Sequence, residues 1–259
     1  MSADKTVIFI TGANSGIGYE TVVALATTSA EYHVIIGARS VKKGKAAHSK
    51  IQEENGQAVK ASISVVEIDI TKPETIVAAK EKIEAEFGKL DVLINNAGII
   101  AYEEQDVIKA TRQSFEVNVL GSMLVTDTLE PLLKKSTKPY VIYVSSEQGS
   151  ISLRLDPDFK FRQLRGESYR ISKAALNMLA ACHRYNFAEW ENKGRVVAFN
   201  PGWCVTNLTG AKGREMREKM GARDAKEPAR ALLDIVTGKR DEDIEKSGLI
   251  DVDGGVLPW

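Results

Sequence analysis

Short apolar runs alternate with helix-length amphipathic stretches along nearly the whole chain. The runs predict strands at Val7 to Ile10, His33 to Gly37, Ser64 to Ile68, Val92 to Asn95, Tyr140 to Ser145, Val196 to Asn200 and Leu249 to Asp251. Most carry Val and Ile at both alternating positions, which suits strands covered on both faces, as in a parallel sheet. Between them, length and period predict helices over Ile17 to Thr28, Val41 to Glu54, Pro73 to Phe87, Asp106 to Lys135, Tyr169 to Glu191 and Glu227 to Thr237. Pro73 in a first turn with Thr71 before it reads as a helix start, and Gly88 as a stop. Alternation of this kind predicts an α/β fold: one doubly wound parallel sheet of seven strands, helices on both faces, right-handed crossovers.

Two segments break the rhythm. Residues 147–168 are polar with scattered aromatics, Phe159 and Phe161, and Pro157. Residues 207–226 are dense in charge, with Lys212, Arg214, Glu215, Arg217, Glu218, Lys219 and Arg223. Long irregular connections in such folds often serve as lids over a site, so 207–226 is expected to be a substrate lid and 147–168 an insertion.

The chain has 259 residues, 43% hydrophobic and 27% charged, which fits one domain spanning 1–259 with a core large enough to need no staple. Lys plus Arg equals Asp plus Glu at 35 each, so a nucleic-acid or anionic-membrane partner is not expected as the main role. Cys182 and Cys204 have no CxxC spacing and are expected to be reduced, in the core or near a site. His33, His48 and His183 are scattered and form no metal-ligand cluster. The N-terminus lacks a signal-peptide layout and no run reaches the length of a membrane span, so a cytoplasmic location is expected.

The first strand runs into Thr11-Gly12-Ala13-Asn14-Ser15-Gly16-Ile17-Gly18, which opens a helix. Glycines there allow a tight turn and close approach of a pyrophosphate to backbone N–H groups at a helix N-terminus. The second strand ends at Gly37-Ala38-Arg39-Ser40, with no acidic residue. At this point of a dinucleotide fold an acid binds a ribose 2′-hydroxyl, whereas a basic residue accommodates a 2′-phosphate. Arg39, with Ser40 adding a hydroxyl, therefore predicts NADP(H) over NAD(H).

With these motifs the chain resembles the short-chain dehydrogenase/reductase family, in its NADP-preferring, carbonyl-reductase-like branch. The resemblance runs from Thr6 to the C-terminus. It rests on Gly12-x-x-x-Gly16-x-Gly18, Asp69, Asn95-Asn96-Ala97-Gly98, Asn118, Ser146, Tyr169-x-x-x-Lys173 and Pro201-Gly202, in the family's order. It implies a Rossmann-type domain in which Asp69 bonds the adenine amino group and Ile70 flanks the ring. Asn95, Ala97 and Gly98 would lie beside the cofactor. Pro201, Gly202 and Thr206 would hold the nicotinamide end.

Tyr169 and Lys173 are one helical turn apart and share a face. A nearby ammonium makes a phenol a better acid–base group, and Lys173 can also reach the cofactor ribose. Of Ser145 and Ser146, the family pattern favours Ser146 to hold a substrate carbonyl, with Ser145 as the second choice. Asn118 would support a proton relay to Lys173. Together these imply reduction of a small ketone or aldehyde, with Tyr169 as proton donor. Oxidation of an alcohol, or a non-catalytic NADP sensor, are the alternatives. Trp203 and Cys204 fall beside Pro201-Gly202, where an aromatic substrate wall and a packing role are both open. The separation of Ser146 from Tyr169 is longer than most relatives have, which some monomeric members share. The tail Val252-Asp253-Gly254-Gly255 resembles the family's oligomer-forming segment, and a homodimer or homotetramer is expected.

Overall fold

The inner apolar runs form strands because they bury both faces, while Ser62–Glu67 at the sheet edge is only partly covered. The computed structural model describes residues 5–101 and 104–259. Its strands are β1 (Thr6–Ile10), β2 (Tyr32–Ala38), β3 (Ser62–Glu67), β4 (Val92–Asn95), β5 (Tyr140–Val144), β6 (Arg195–Asn200) and β7 (Leu249–Asp251), all paired in parallel. An eighth, β8 (Val256–Leu257), turns back antiparallel on β7. It was missed because two residues show no period. The 252–255 tail is the turn that makes it, with Gly254 and Gly255 at φ of 105° and 72°. There Asp253 is held by both terminal nitrogens of Arg223, at 2.9 and 2.8 Å.

The helices are α1 (Gly16–Thr28), α2 (Val41–Asn55), α3 (Pro73–Phe87), α4 (Val107–Phe115), α5 (Ser122–Leu133), α6 (Ile151–Leu155), α7 (Glu167–Ala188), α8 (Gly210–Lys219), α9 (Lys226–Val236) and α10 (Asp241–Ile244). Alternate strand residues feed two cores. Ile8, Ile10, Val34 and Ile36 pack with Val22 and Leu25 of α1 and Leu232 and Ile235 of α9. Phe9, Ile35 and Leu93 pack on the other face with Ile76 and Ile83 of α3, Leu129 of α5 and Leu176 of α7. Both faces are therefore sealed, as parallel strands require.

The strand order is β3-β2-β1-β4-β5-β6-β7-β8. Chain direction across the sheet reverses between β1 and β4, and such a switch point leaves a crevice at the carboxyl ends of the strands.

Four local expectations need correction. The helix expected over 106–135 is broken: α4 passes through a π-helical turn, Glu116–Gly121, into α5. Thr71 does not cap α3. Lys72 holds that position, and Thr71 instead donates its amide and hydroxyl to Asp69 Oδ1 at 3.1 and 2.7 Å. Cys182 is exposed on α7 rather than in the core, while Cys204 is buried. The two irregular segments are not featureless: α6 lies in 147–168 and α8 in 207–226.

Candidate active site

The glycine turn is knitted to β4 before it meets any ligand. Thr11 Oγ1 accepts from the amides of Asn96 and Ala97, both at 3.0 Å, and Asn96 Nδ2 donates to Thr11 O at 2.8 Å. Gly12 and Gly16 have φ of 65° and 59°, conformations that other residues adopt at a cost. A Cβ on Gly12 would stand 3.0 Å from Ala97 Cα, so the turn sits directly on β4's exit. Ser15 is the N-cap of α1 but supplies no side-chain acceptor. The first amides of the helix are thus left for an anion. Gly18 serves packing instead, since a Cβ there would lie 2.5 Å from Asn96 Nδ2.

A groove of about 540 Å³ runs over this turn. Asn14, Ser15, Gly16 and Ile17 form its middle. Arg39 and Lys43 stand at one end, opposite Asp69, Ile70 and Thr71. Ser40 is not in the wall; it caps α2, accepting from Lys43 N at 3.4 Å. Burial raises the Asp69 carboxyl, but the two bonds from Thr71 and the charge of Arg39 outweigh it and hold it below the ordinary value. A Cβ on Gly121 would meet Ile70 Cγ1 at 2.9 Å, so the π turn packs directly beneath Ile70.

Tyr169 and Lys173 close the other end, with Ala97, Gly98, Ser145, Pro201 and Thr206. Lys173 is buried, donates from Nζ to Val144 O at 2.8 Å and lies 5.7 Å from the Tyr169 ring centre. Burial pulls its ammonium down to about 7. Burial pushes the Tyr169 phenol up to about 12, opposed by a hydrogen bond with Ser146 and by the charge of Arg217. Ser146 caps the short turn Glu147–Gly149 and accepts from Gln148 N at 3.1 Å. Ser145 lines the groove but its Oγ is spent on Asn177 Oδ1, leaving Ser146, outside the groove wall, as the hydroxyl at the phenol.

Asn118 is fully buried in the π turn. Its Oδ1 accepts from Ile99 N at 2.9 Å, and its Nδ2 donates to Ile99 O and Ser172 Oγ, both at 3.0 Å. It ties the 98–99 loop to α7. Gly98 makes room, since a Cβ there would lie 3.2 Å from Asn118 Oδ1 and 3.7 Å from Lys173 Nζ. Asn95 lies outside the groove wall: its Nδ2 donates to Thr126 Oγ1 at 2.9 Å, and Asn96 lines the groove instead. Gly202 is also outside it, with φ of 70° and Arg223 Nε 2.8 Å from where a Cβ would be.

Four contributors escaped the sequence reading. Thr11 and Asn96 shape the turn, although both sit in the motifs. Gly149 abuts α7 so closely that a Cβ would fall 2.5 Å from the Lys173 carbonyl carbon. Arg217 of α8 is buried and donates from Nη1 to Cys204 O at 3.1 Å and Thr206 Oγ1 at 3.3 Å. No local pattern marks either of the last two, because their partners are distant in the chain.

The insertion and the stretch after Pro201 meet through aromatics. Phe159 and Phe161 cross edge-on at 5.8 Å, and Phe161 crosses Trp203 at 6.2 Å. A larger cavity, about 720 Å³, lies on the far side of the glycine turn between α2 and α8, but it contains none of Tyr169, Lys173 or Ser146. Among the described residues there is no cluster of metal-ligating side chains and no helix long and apolar enough to cross a membrane.

Comparison with known proteins agrees with this geometry. A family model described as short chain dehydrogenase matches residues 6–217. The short-chain dehydrogenase anuI of Penicillium roqueforti is 35% identical over 225 residues, covering 85% of this chain and 86% of that one. The short-chain dehydrogenase/reductase tropE of Talaromyces stipitatus is 30% identical over 271 residues, covering 99% of each. Among solved structures, NADPH-bound carbonyl reductase from chicken fatty liver matches with a TM-score of 0.79 at 25% identity, over 100% of both chains.

Proposed function

We propose that this chain, which belongs to the short-chain dehydrogenase family of nicotinamide-dependent oxidoreductases, is an NADPH-dependent reductase of small ketones or aldehydes. One observation carries the reading: a single groove joins Arg39 and Lys43 at one end to Tyr169 and Lys173 at the other, across the uncapped start of α1.

The residues present fit NADP(H). The open amides of α1 suit the pyrophosphate, Asp69 and Ile70 the adenine, and Arg39 with Lys43 a 2′-phosphate. Thr206, Pro201 and the 97–98 backbone suit the nicotinamide end. When bound, NADPH supplies the hydride. Tyr169 supplies the proton to the carbonyl oxygen from its hydroxyl, while Ser146 Oγ holds that oxygen in line. Lys173, whose ammonium titrates near neutrality, replaces the proton. Asn118 fixes the loop and helix between which Lys173 works. Tyr169 is a neutral phenol across the physiological range, which suits an acid. The reverse oxidation uses the same groups.

Residues 207–226 serve as the substrate lid in this reading, carrying Arg217 in to Thr206. The reading extends to assembly as a homodimer or homotetramer. Ile171, Met178 and Tyr185 recur every seven residues on α7 and are exposed, as are Met123 on α5 and Val107 and Ile108 on α4. Sedimentation of a single monomer species at micromolar concentration would refute it. Two free cysteines, one exposed, fit a reducing, cytoplasmic setting, which a disulfide-linked secreted form would contradict.

Titration with both cofactors tests the assignment. NADPH is expected to bind more tightly than NADH. Arg39→Ala weakens NADPH about 10- to 100-fold, the worth of a charged hydrogen bond, and leaves NADH nearly unchanged. The probe belongs at Arg39 because Ala38 is buried, where an acid would damage the fold. Tighter binding of NADH by the unaltered protein would remove the NADP(H) assignment.

A further inference from the structure

Among the described residues, Arg217 is a buried cation with no buried anion beside it. Its relative exposure is 7%, and among the described residues no carboxylate pairs with it. Three partly buried arginines are matched by carboxylates: Arg223 by Asp253, Arg195 by Asp241 and Arg240 by Asp243. Burying an uncompensated charge is costly, so a lone guanidinium inside a fold calls for a partner that arrives later.

Its free donors are not sealed. Nη1 is used on Cys204 O and Thr206 Oγ1, while Nε and Nη2 have no hydrogen-bond partner among the described residues and are not among the side-chain atoms closed off from space. Arg170, also buried, differs in this respect: it spends Nη2 on the carbonyls of Phe161 and Leu164, and its Nε and Nη1 are closed off. Arg170 is a brace for the insertion, whereas Arg217 still has donors to offer.

The place is chemical. Thr206 lines the groove with Tyr169, and Arg217 stands one hydrogen bond behind it. The guanidinium is near enough to hold the Tyr169 phenol below where burial alone would put it. The same stretch of backbone carries Trp203, which meets Phe161 of the insertion edge-on. A fork of N–H donors bonded to the residue after Trp203, whose ring meets the partly exposed Phe161, matches a flat, anionic aromatic group.

We propose that Arg217, with Phe161 and Trp203, forms a subsite for an acidic aromatic substrate: an aryl ketone or aldehyde bearing a carboxylate or phenolate near the reacting carbonyl. This rests on the reductase reading and narrows its substrate class.

The test separates binding from turnover. Protein saturated with NADP⁺ is titrated calorimetrically with benzoate and with benzamide, of the same shape but neutral. The expected result is benzoate binding at least tenfold tighter, with the preference lost in Arg217→Gln and largely kept in Arg217→Lys. Melting curves establish that both variants are folded. Equal binding of the two probes, or a preference untouched by Arg217→Gln, overturns the subsite. So does a loss in Arg217→Gln that falls on NADP⁺ affinity alone, which would give the guanidinium to the cofactor pyrophosphate. In parallel, 2-formylbenzoate and its methyl ester are offered with NADPH. A kcat/KM advantage of the acid over the ester that Arg217→Gln abolishes supports the subsite. Turnover of neither ester nor acid, nor of any neutral aldehyde, quinone or cyclic ketone, with benzoate still discriminated through Arg217, defeats the reductase reading while leaving the anion subsite standing.

Discussion

Lys173 and Tyr169 show how residue types legible in sequence acquire their chemistry only from surroundings. The Tyr-x-x-x-Lys spacing already placed both on one helical face. It did not reveal that the ammonium turns to Val144 O, nor that Arg217 is the cation acting on the phenol. Burial alone brings Lys173 to about 7. In the cofactor-free protein labelled with ¹³C-lysine, one side-chain resonance should titrate with a midpoint near 7 and be missing from Lys173→Met. Absence of any resonance titrating near neutrality would contradict this. Gly149 makes the complementary point. Nothing around it in sequence distinguishes it from an ordinary turn glycine, yet the backbone of Lys173 occupies the space a side chain would need.

Elements were most legible where a period was sustained. The bounds of α3 and β4 match their apolar patterns, because amphipathic spacing and terminal Pro and Gly report local physics. The π-helical turn was not legible, since an i→i+5 turn differs from its neighbours by one slipped hydrogen bond rather than by residue type. It nonetheless sets Asn118 against Ile99 and Ser172. Pairing between strands brings its own chemistry. His33 of β2 bonds Ser62 and Ser64 of β3 through its two ring nitrogens, at 2.7 and 2.8 Å, and packs on Phe87. Burial, aided by Lys5, lowers the imidazole to about 4. The folded state therefore binds that proton less readily than the unfolded chain, whose value is near 6.5. The stability this gives is complete above 6.5 and is lost as pH falls from there towards 4, by at most about 1.4 kcal/mol per pH unit. Urea unfolding of His33→Gln should show a shallower decline over that window than the unaltered protein. Equal slopes would refute the linkage.

Across the whole molecule, alternation along the chain foretold a doubly wound sheet sealed on both faces, and the switch point between β1 and β4 is where the groove lies. What alternation could not foretell is how segments far apart in sequence meet around the 203–206 stretch. The 147–168 insertion meets Trp203 through Phe161, and the 207–226 segment sends Arg217 to Thr206. The C-terminus completes the frame, Ser150 Oγ donating to Pro258 O at 2.7 Å and Ser152 N to Trp259 O at 3.0 Å. These contacts depend on tertiary shape, and the aromatic and charged residues that make them look like ordinary surface residues in a linear sequence. The proposed reaction turns on Tyr169 at one end of that groove. NADPH oxidation against aldehydes, quinones and cyclic ketones, with Tyr169→Phe beside the unaltered protein, tests this most directly. The account predicts turnover that falls about 10²- to 10⁴-fold in the variant while NADPH binding persists, as loss of a general acid requires. Turnover in Tyr169→Phe within tenfold of the unaltered protein would contradict it.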